Sequence, residues 1–299
     1  MNVKLIVENT LEQYEKLFTM PERQRTDYFR YTMMKPFEPM WNLMNIPLKA
    51  KQPGGYDVLM ACQMLGFLDV DKTADGLRSL QELQNRHITQ VVLKTLHTCV
   101  EVMHKHDLLI AAKELRFGLY LADEQKLELQ KGYCGFGGIP GFIQVTIHPN
   151  AYNVPRIPAV IAHEFHHNIR FSYMDWDYGN VTVGDYLVIE GLAESFAREL
   201  YGDDLLGPWV SSMSEADVGR SMELIGKALD VKGFGEVSSY MFGDEIAISQ
   251  GYQPAGLAPF AGYTVGYRTV QSFMKEQGCT IYDATRCSTE EILKGSRLF

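Results

Sequence analysis

The stretch Ile157-Pro158-Ala159-Val160-Ile161-Ala162-His163-Glu164-Phe165-His166-His167 sets the reading of the whole chain. It matches H-E-x-x-H, with His163 and His167 as the paired histidines. Residues four apart on a helix share a face, with a rise of about 6 Å between them. Two imidazoles so placed converge on one tetrahedral zinc ion. Glu164, one position on, points toward the fourth coordination direction and can take a proton from a water there. The run Ile157–Ala162 is apolar and helix-competent, and Pro158 falls where a first-turn proline is tolerated. His166 lies about 100° around the helix from His167 and does not share the metal. It reads as a packing residue or as a hydrogen-bonding neighbour of a ligand.

The third ligand has to come from another segment. A metzincin needs glycine at 170 and histidine at 173, and the chain has Arg170 and Tyr173. No histidine follows His167, so a downstream ligand is a carboxylate or a thiolate. The run Tyr186-Leu187-Val188-Ile189-Glu190-Gly191-Leu192-Ala193-Glu194-Ser195-Phe196 embeds Glu190 among apolar residues. A carboxylate there is costly to bury without a cation. Glu190 is therefore the expected ligand, and Glu194, one turn on, the expected acceptor for the outward N–H of a ligand histidine. The swapped assignment and a Cys134 ligand remain open, as does a plain pair of one buried and one solvated acid. Gly191 costs about 1 kcal/mol in a helix interior. It makes sense if this helix packs closely on the H-E-x-x-H helix.

Outward from the motif, helical spacing predicts helices over residues 10–35 and 185–201. It also predicts one over 75–105, broken once at most, and a last long one over 263–277. Gly202 and Gly278 serve as stops. Pro36 to Pro39 marks a boundary, Met40 to Pro47 reads as irregular, and Gln52-Pro53-Gly54-Gly55 as a turn. Residues 116–122 and Phe142–Ile147 read as strands. The glycine-rich segment 132–141 lacks both the Walker A and Rossmann spacings and reads as a flexible connection between strands. His148 reads as a turn residue. Trp176 and Tyr178, in the loop before residue 185, are weak candidates for a cleft rim.

Composition bounds the partners. The chain has 299 residues, 46% hydrophobic and 22% charged, with a net charge of -9. No Lys/Arg block occurs, which argues against nucleic acid or an anionic membrane as partner. The early charges at Lys4 and Glu8 do not suit a secretory leader, and no stretch reaches the roughly 18 apolar residues of a membrane span. A cytoplasmic location is expected. The five cysteines are spread with no C-x-x-C, as reduced and mostly buried thiols are.

These motifs carry a resemblance. Glu190-Gly191-Leu192-Ala193 after H-E-x-x-H looks like the gluzincin arrangement, in which a glutamate on the following helix completes a His₂Glu site. More closely, Gly138-Ile139-Pro140-Gly141-Phe142, Ala162 through His167, Glu190 through Glu194 and Gly262-Tyr263-Thr264-Val265-Gly266-Tyr267 resemble the YjaZ-type family of predicted bacterial zinc-dependent proteases. The likeness covers roughly residues 110–295 and is sparse before them. Gluzincins have an aspartate four residues after the ligand glutamate, where this chain has Glu194. One zinc per chain and a peptide or protein substrate are the expectation. The resemblance implies zinc and an α+β, mainly helical zincin-like fold and names no substrate. It also implies a small sheet whose edge strand lies by the H-E-x-x-H helix and binds substrate main chain, here Phe142–Ile147.

The expected organisation is an N-terminal helical region, residues 1–110, and a metallopeptidase-like region, residues 111–299. The expected reaction is peptide hydrolysis, with zinc on His163, His167 and Glu190 and with Glu164 as general base. The oxyanion needs a donor besides the metal. Tyr263 or Tyr267, four apart at a helix start, can supply it, and Arg268 can supply charge. Both tyrosines also continue an apolar stripe toward Val270 and Met274. Two other functions fit the motif: a zinc amidohydrolase on a non-peptide amide, and a non-catalytic zinc-stabilised binding protein with a closed four-ligand site.

Overall fold

A computed structural model describes residues 3–176 and 179–299, with the backbone alone at Phe234. Two compact units make up the chain. One comprises the residues up to Thr98 together with Ala112–Ile161; the other comprises Cys99–Ala111 and Ala162–Phe299.

The first unit holds a four-stranded mixed sheet in the order β1-β2-β4-β3. Its strands are β1 (Lys4–Val7), β2 (Glu114–Leu121), β3 (Tyr133–Phe136) and β4 (Phe142–Ile147). β2 is parallel to both β1 and β4, with Arg116 opposite Phe142 and Leu121 opposite Ile147. Strands buried on both faces read as continuous apolar runs, and from Phe117 to Leu121 only Gly118 interrupts an unbroken apolar series. Helices α1 (Thr10–Thr19), α2 (Glu22–Tyr28), α3 (Glu38–Leu43), α4 (Val58–Met64), α5 (Thr73–Asn85) and the part of α6 (Ile88–Lys105) up to Thr98 follow β1. α1 is fastened to β2, since Thr10 donates its hydroxyl to the Leu119 carbonyl and Leu121 N–H donates to the Tyr14 phenol. Leu17, Phe29, Met33, Phe37, Trp41 and Tyr120 form much of the core beside it.

Several expectations change here. The segment 10–35 is two helices followed by a π-turn at Phe29–Met33, and helix continues through Leu43 where irregular chain was expected. The 75–105 helix does break once, as the spacing allowed, at Arg86-His87, with His87 left-handed at φ 50°. β1 went unrecognised, because four residues carry little periodic signal. Phe142–Ile147 is an interior strand and not an edge: β2 pairs it on one side and β3 on the other. The edges are Lys4–Val7 and Tyr133–Phe136, the latter inside the segment read as a flexible connection. Its glycines hid the strand, since glycine is depleted in strands.

The second unit is helical. It contains the His163 end of α7 (Ile157–Arg170), then α8 (Val183–Tyr201), α9 (Pro208–Ser211), α10 (Glu215–Gly226), α11 (Phe234–Phe242) and α12 (Asp244–Ser249). α13 (Ala261–Gln277), α14 (Ile281–Ala284) and α15 (Thr289–Ser296) complete it. α8 starts at a capping box, in which Thr182 and Asp185 satisfy each other's backbone N–H groups. Gly202, at φ 83°, ends it. The core of this unit gathers Val183, Leu187, Ile225, Val237, Met241, Leu257, Ala261 and Val265.

Gly191 does not face the H-E-x-x-H helix. A Cβ added there would lie 2.2 Å from the Gly266 carbonyl oxygen, so the close approach is between α8 and α13. None of the five cysteines forms a disulfide; Cys62 and Cys99 are buried and the other three half-buried. No helix among the described residues is long and apolar enough to cross a membrane.

Candidate metal centre

α7 buries Ile157, Val160, Ile161, Phe165 and Ile169 completely or nearly so. The remaining face carries the motif, and α8 supplies the acids. His163, Glu164, His167 and Glu190 are 3%, 6%, 5% and 6% exposed. Ligating atoms of His163, Glu164 and His167 lie within 4.8 Å of one another. Glu190 Oε2 approaches both histidines, 3.0 Å from His163 Nε2 and 3.6 Å from His167 Nε2. Glu164 Oε2 lies 3.9 Å from His167 Nε2.

These spacings fit a divalent ion. Ligand atoms about 2.0–2.1 Å from a tetrahedral zinc are separated by about 3.3 Å, and the two Glu190 contacts straddle that value. The charge balance points the same way. Three buried carboxylates, Glu164, Glu190 and Glu194, surround two imidazoles, and buried acids require a compensating cation. Burial opposes ionisation of both His163 and Glu190. Their mutual attraction wins: Glu190 and Glu194 hold the His163 pKa well above its ordinary value. Glu190, beside His167 and His163, is pulled down to about 2.

Glu194 is engaged on the other side of His163. Its Oε2 lies 2.8 Å from His163 Nδ1 and also accepts from Trp209 Nε1 at 2.8 Å. Its Oε1 accepts from Gly207 N–H at 2.9 Å. With those contacts made, the carboxylate is aimed at the back of the imidazole and away from Glu190. Among the described residues His167 has no such partner, and its buried Nδ1 makes no hydrogen bond with any of them.

Other residues singled out in the sequence fall elsewhere. His166 is fully buried and meets Thr285 Oγ1 at 2.9 Å. Burial and the neighbouring His167, Arg170 and His163 keep it neutral, so it packs. Cys134 sits on β3 with its thiol toward the Leu65 carbonyl, and it has no place among the clustered ligating atoms. His148 lies just past β4, 3.5 Å from Ser79 Oγ and 3.7 Å from Glu124. Trp176 packs between Phe171 and Tyr186, while Tyr178 lies outside the described residues.

Tyr263 and Tyr267 are on the first turns of α13. The Tyr263 ring packs on Phe242 and Phe260, at centroid distances of 5.8 and 6.0 Å. Burial pushes the Tyr267 phenol up to about 12, with Arg198 opposing and Asp203 and Glu194 adding to the shift. Arg268 is half-exposed and paired with Glu215. Sequence reasoning missed Gly207 and Trp209. A Gly-Pro-Trp triplet after a helix stop was the one available signal.

Comparison with known proteins agrees with this picture. Residues 88–294 match a family described as "Predicted Zn-dependent protease (DUF2268)". The chain is 58% identical over 297 residues to the uncharacterized protein YjfC of Bacillus subtilis (strain 168), covering 99% of each. It is 25% identical over 138 residues to the uncharacterized protein YjaZ of the same strain, covering 46% of this chain and 49% of that one. No solved structure matches.

Proposed function

As this chain belongs to the predicted Zn-dependent protease family, we propose that it is a zinc metallopeptidase in which Glu164 is the general base. The observation that carries the reading is the convergence of His163 Nε2, His167 Nε2 and Glu190 Oε2 in a buried site. These three residues would hold the ion, one per chain. Zinc bound there supplies Lewis acidity and lowers the pKa of a water toward about 7.

The chain's own groups do the rest. Glu164 takes the proton of the attacking water and passes it to the leaving amine. Glu194 keeps the proton of His163 on Nδ1 and so keeps Nε2 available as a lone-pair donor. A phenol at Tyr263 or Tyr267 donates to the oxyanion. The raised pKa of Tyr267 keeps that group protonated in the working range.

The test is metal content of the purified protein beside His163→Ala, together with turnover of a mixed quenched-peptide library. One zinc per chain, lost in the variant, with chelator-sensitive cleavage supports the peptidase. Zinc without peptide cleavage moves the weight to a non-peptide amide substrate or to a binding protein. No metal after reconstitution sinks the reading.

A further inference from the structure

We propose that Trp209 is a positioning residue for the metal centre. With the Gly207 backbone N–H, it clamps Glu194 so that Glu194 holds His163 in one tautomer and one ring orientation. The inference rests on the reading of His163 as a ligand.

The clamp has two prongs on one carboxylate: indole N–H to Oε2 at 2.8 Å, and Gly207 N–H to Oε1 at 2.9 Å. An ionised carboxylate only accepts hydrogen bonds. With Glu194 Oε2 at 2.8 Å, His163 Nδ1 must therefore carry a hydrogen, so an ion seated between Nε2 and Glu190 Oε2, which lie 3.0 Å apart, would displace only the Nε2 hydrogen and meet that lone pair. Glu194 is 2% exposed and Trp209 8%, so charge-assisted bonds among them are not screened by solvent. The Trp209 ring also stands edge-on to His163, with centroids 6.2 Å apart.

The local backbone is built for this. A Cβ at Gly207 would lie 2.1 Å from the Trp209 indole, so only glycine lets the ring fold back over it. Thr264 of α13 donates its hydroxyl to the Trp209 carbonyl at 2.9 Å, which fixes the turn from the opposite side. Removing the indole N–H leaves Glu194 held by Gly207 N–H and His163 alone, and its orientation less firmly fixed. Partners of this kind are worth about 10–100-fold in metal affinity.

The experiment is competitive chelator titration with zinc, and visible absorption with cobalt(II). The proteins are the full-length wild type, Trp209→Phe, and the chain carrying β-(3-benzothienyl)alanine at 209. The last residue keeps the fused ring at nearly the same size and replaces the donating N–H with a sulfur that cannot donate, so it answers if Trp209→Phe fails to fold. The expected result is zinc affinity about 10–100-fold weaker with an altered cobalt band, while the metal-free melting temperature of the benzothienyl protein stays at the wild-type value. Wild-type affinity and cobalt spectrum in either folded variant overturns the clamp. So does a weakening that merely tracks a fall in metal-free melting temperature. A wild type that binds no zinc removes the metal reading itself, which keeps the two failures distinct.

Discussion

Gly191 and Gly266 meet backbone to backbone where α8 crosses α13. A Cβ on either would lie 2.2 Å from a carbonyl oxygen of the other helix, Gly266 for the first and Leu187 for the second. This contact sits one residue from Glu190 and three from Glu194, so the helix crossing sets where both acids are carried.

Gly191→Ala should therefore destabilise the protein even though alanine favours helix. The obstructing atoms are main chain and cannot swing aside, and overpacking of this kind costs about 1–3 kcal/mol or more. The expected outcome is a melting temperature several degrees lower together with weaker zinc binding, because α8 must shift. Differential scanning calorimetry with and without zinc checks it. An unchanged melting temperature would contradict the crossing.

The three acids should separate by phenotype. Glu190→Gln loses a ligand charge and should lose zinc. Glu194→Gln replaces an acceptor-only group with an amide and should weaken zinc by about 10–100-fold. Glu164→Gln should retain zinc and lower turnover by about 10²–10⁴-fold. Metal content and kcat measured on the same preparations check this. Zinc retained in Glu190→Gln but lost in Glu194→Gln reverses the assignment of ligand and orienting acid.

The two tyrosines make a paired test. Whichever donates to the oxyanion should, as phenylalanine, lower kcat by about 10²-fold or more with zinc unaffected. The other variant should keep kcat near wild type. Equal, wild-type kcat in Tyr263→Phe and Tyr267→Phe would remove both from catalysis.

Tyr267 also makes a stability prediction with a definite sign. Its phenol titrates near 10 when unfolded and at about 12 in the native protein. Between those values the native state binds more protons than the unfolded state, so stability falls as pH rises. Below pH 10 the contribution is complete, and it is lost through the native value. The melting temperature of wild type should decline more steeply than that of Tyr267→Phe from about pH 10 to 12. Parallel curves would show that the ring is not shielded from solvent.

Much was legible in one dimension, for local reasons. H-E-x-x-H declares its geometry because helical periodicity places positions four apart on one face, and Glu190 stood out as an acid in an apolar run. Phe142–Ile147, the α8 and α13 spans and their glycine stops also follow from local pattern. β1 and β3 did not, since a short or glycine-rich segment becomes a strand only when a partner strand supplies its hydrogen bonds. The edge assigned to Phe142–Ile147 failed for the same reason, because strand order is a property of pairing and not of alternation.

Residue types and their spacing along α7 and α8 already carried the pairing of two histidines, the nearby Glu164 and the demand of a buried acid for a cation. Each of these depends on neighbours within about one helical turn. Folding alone decided that Gly191 meets Gly266 and that Glu194 is held between Trp209 and His163. It alone brought the Gly207 backbone to a carboxylate thirteen residues away. Those contacts join segments whose separation along the chain imposes no geometry, so only the packing of the helices against one another could select them.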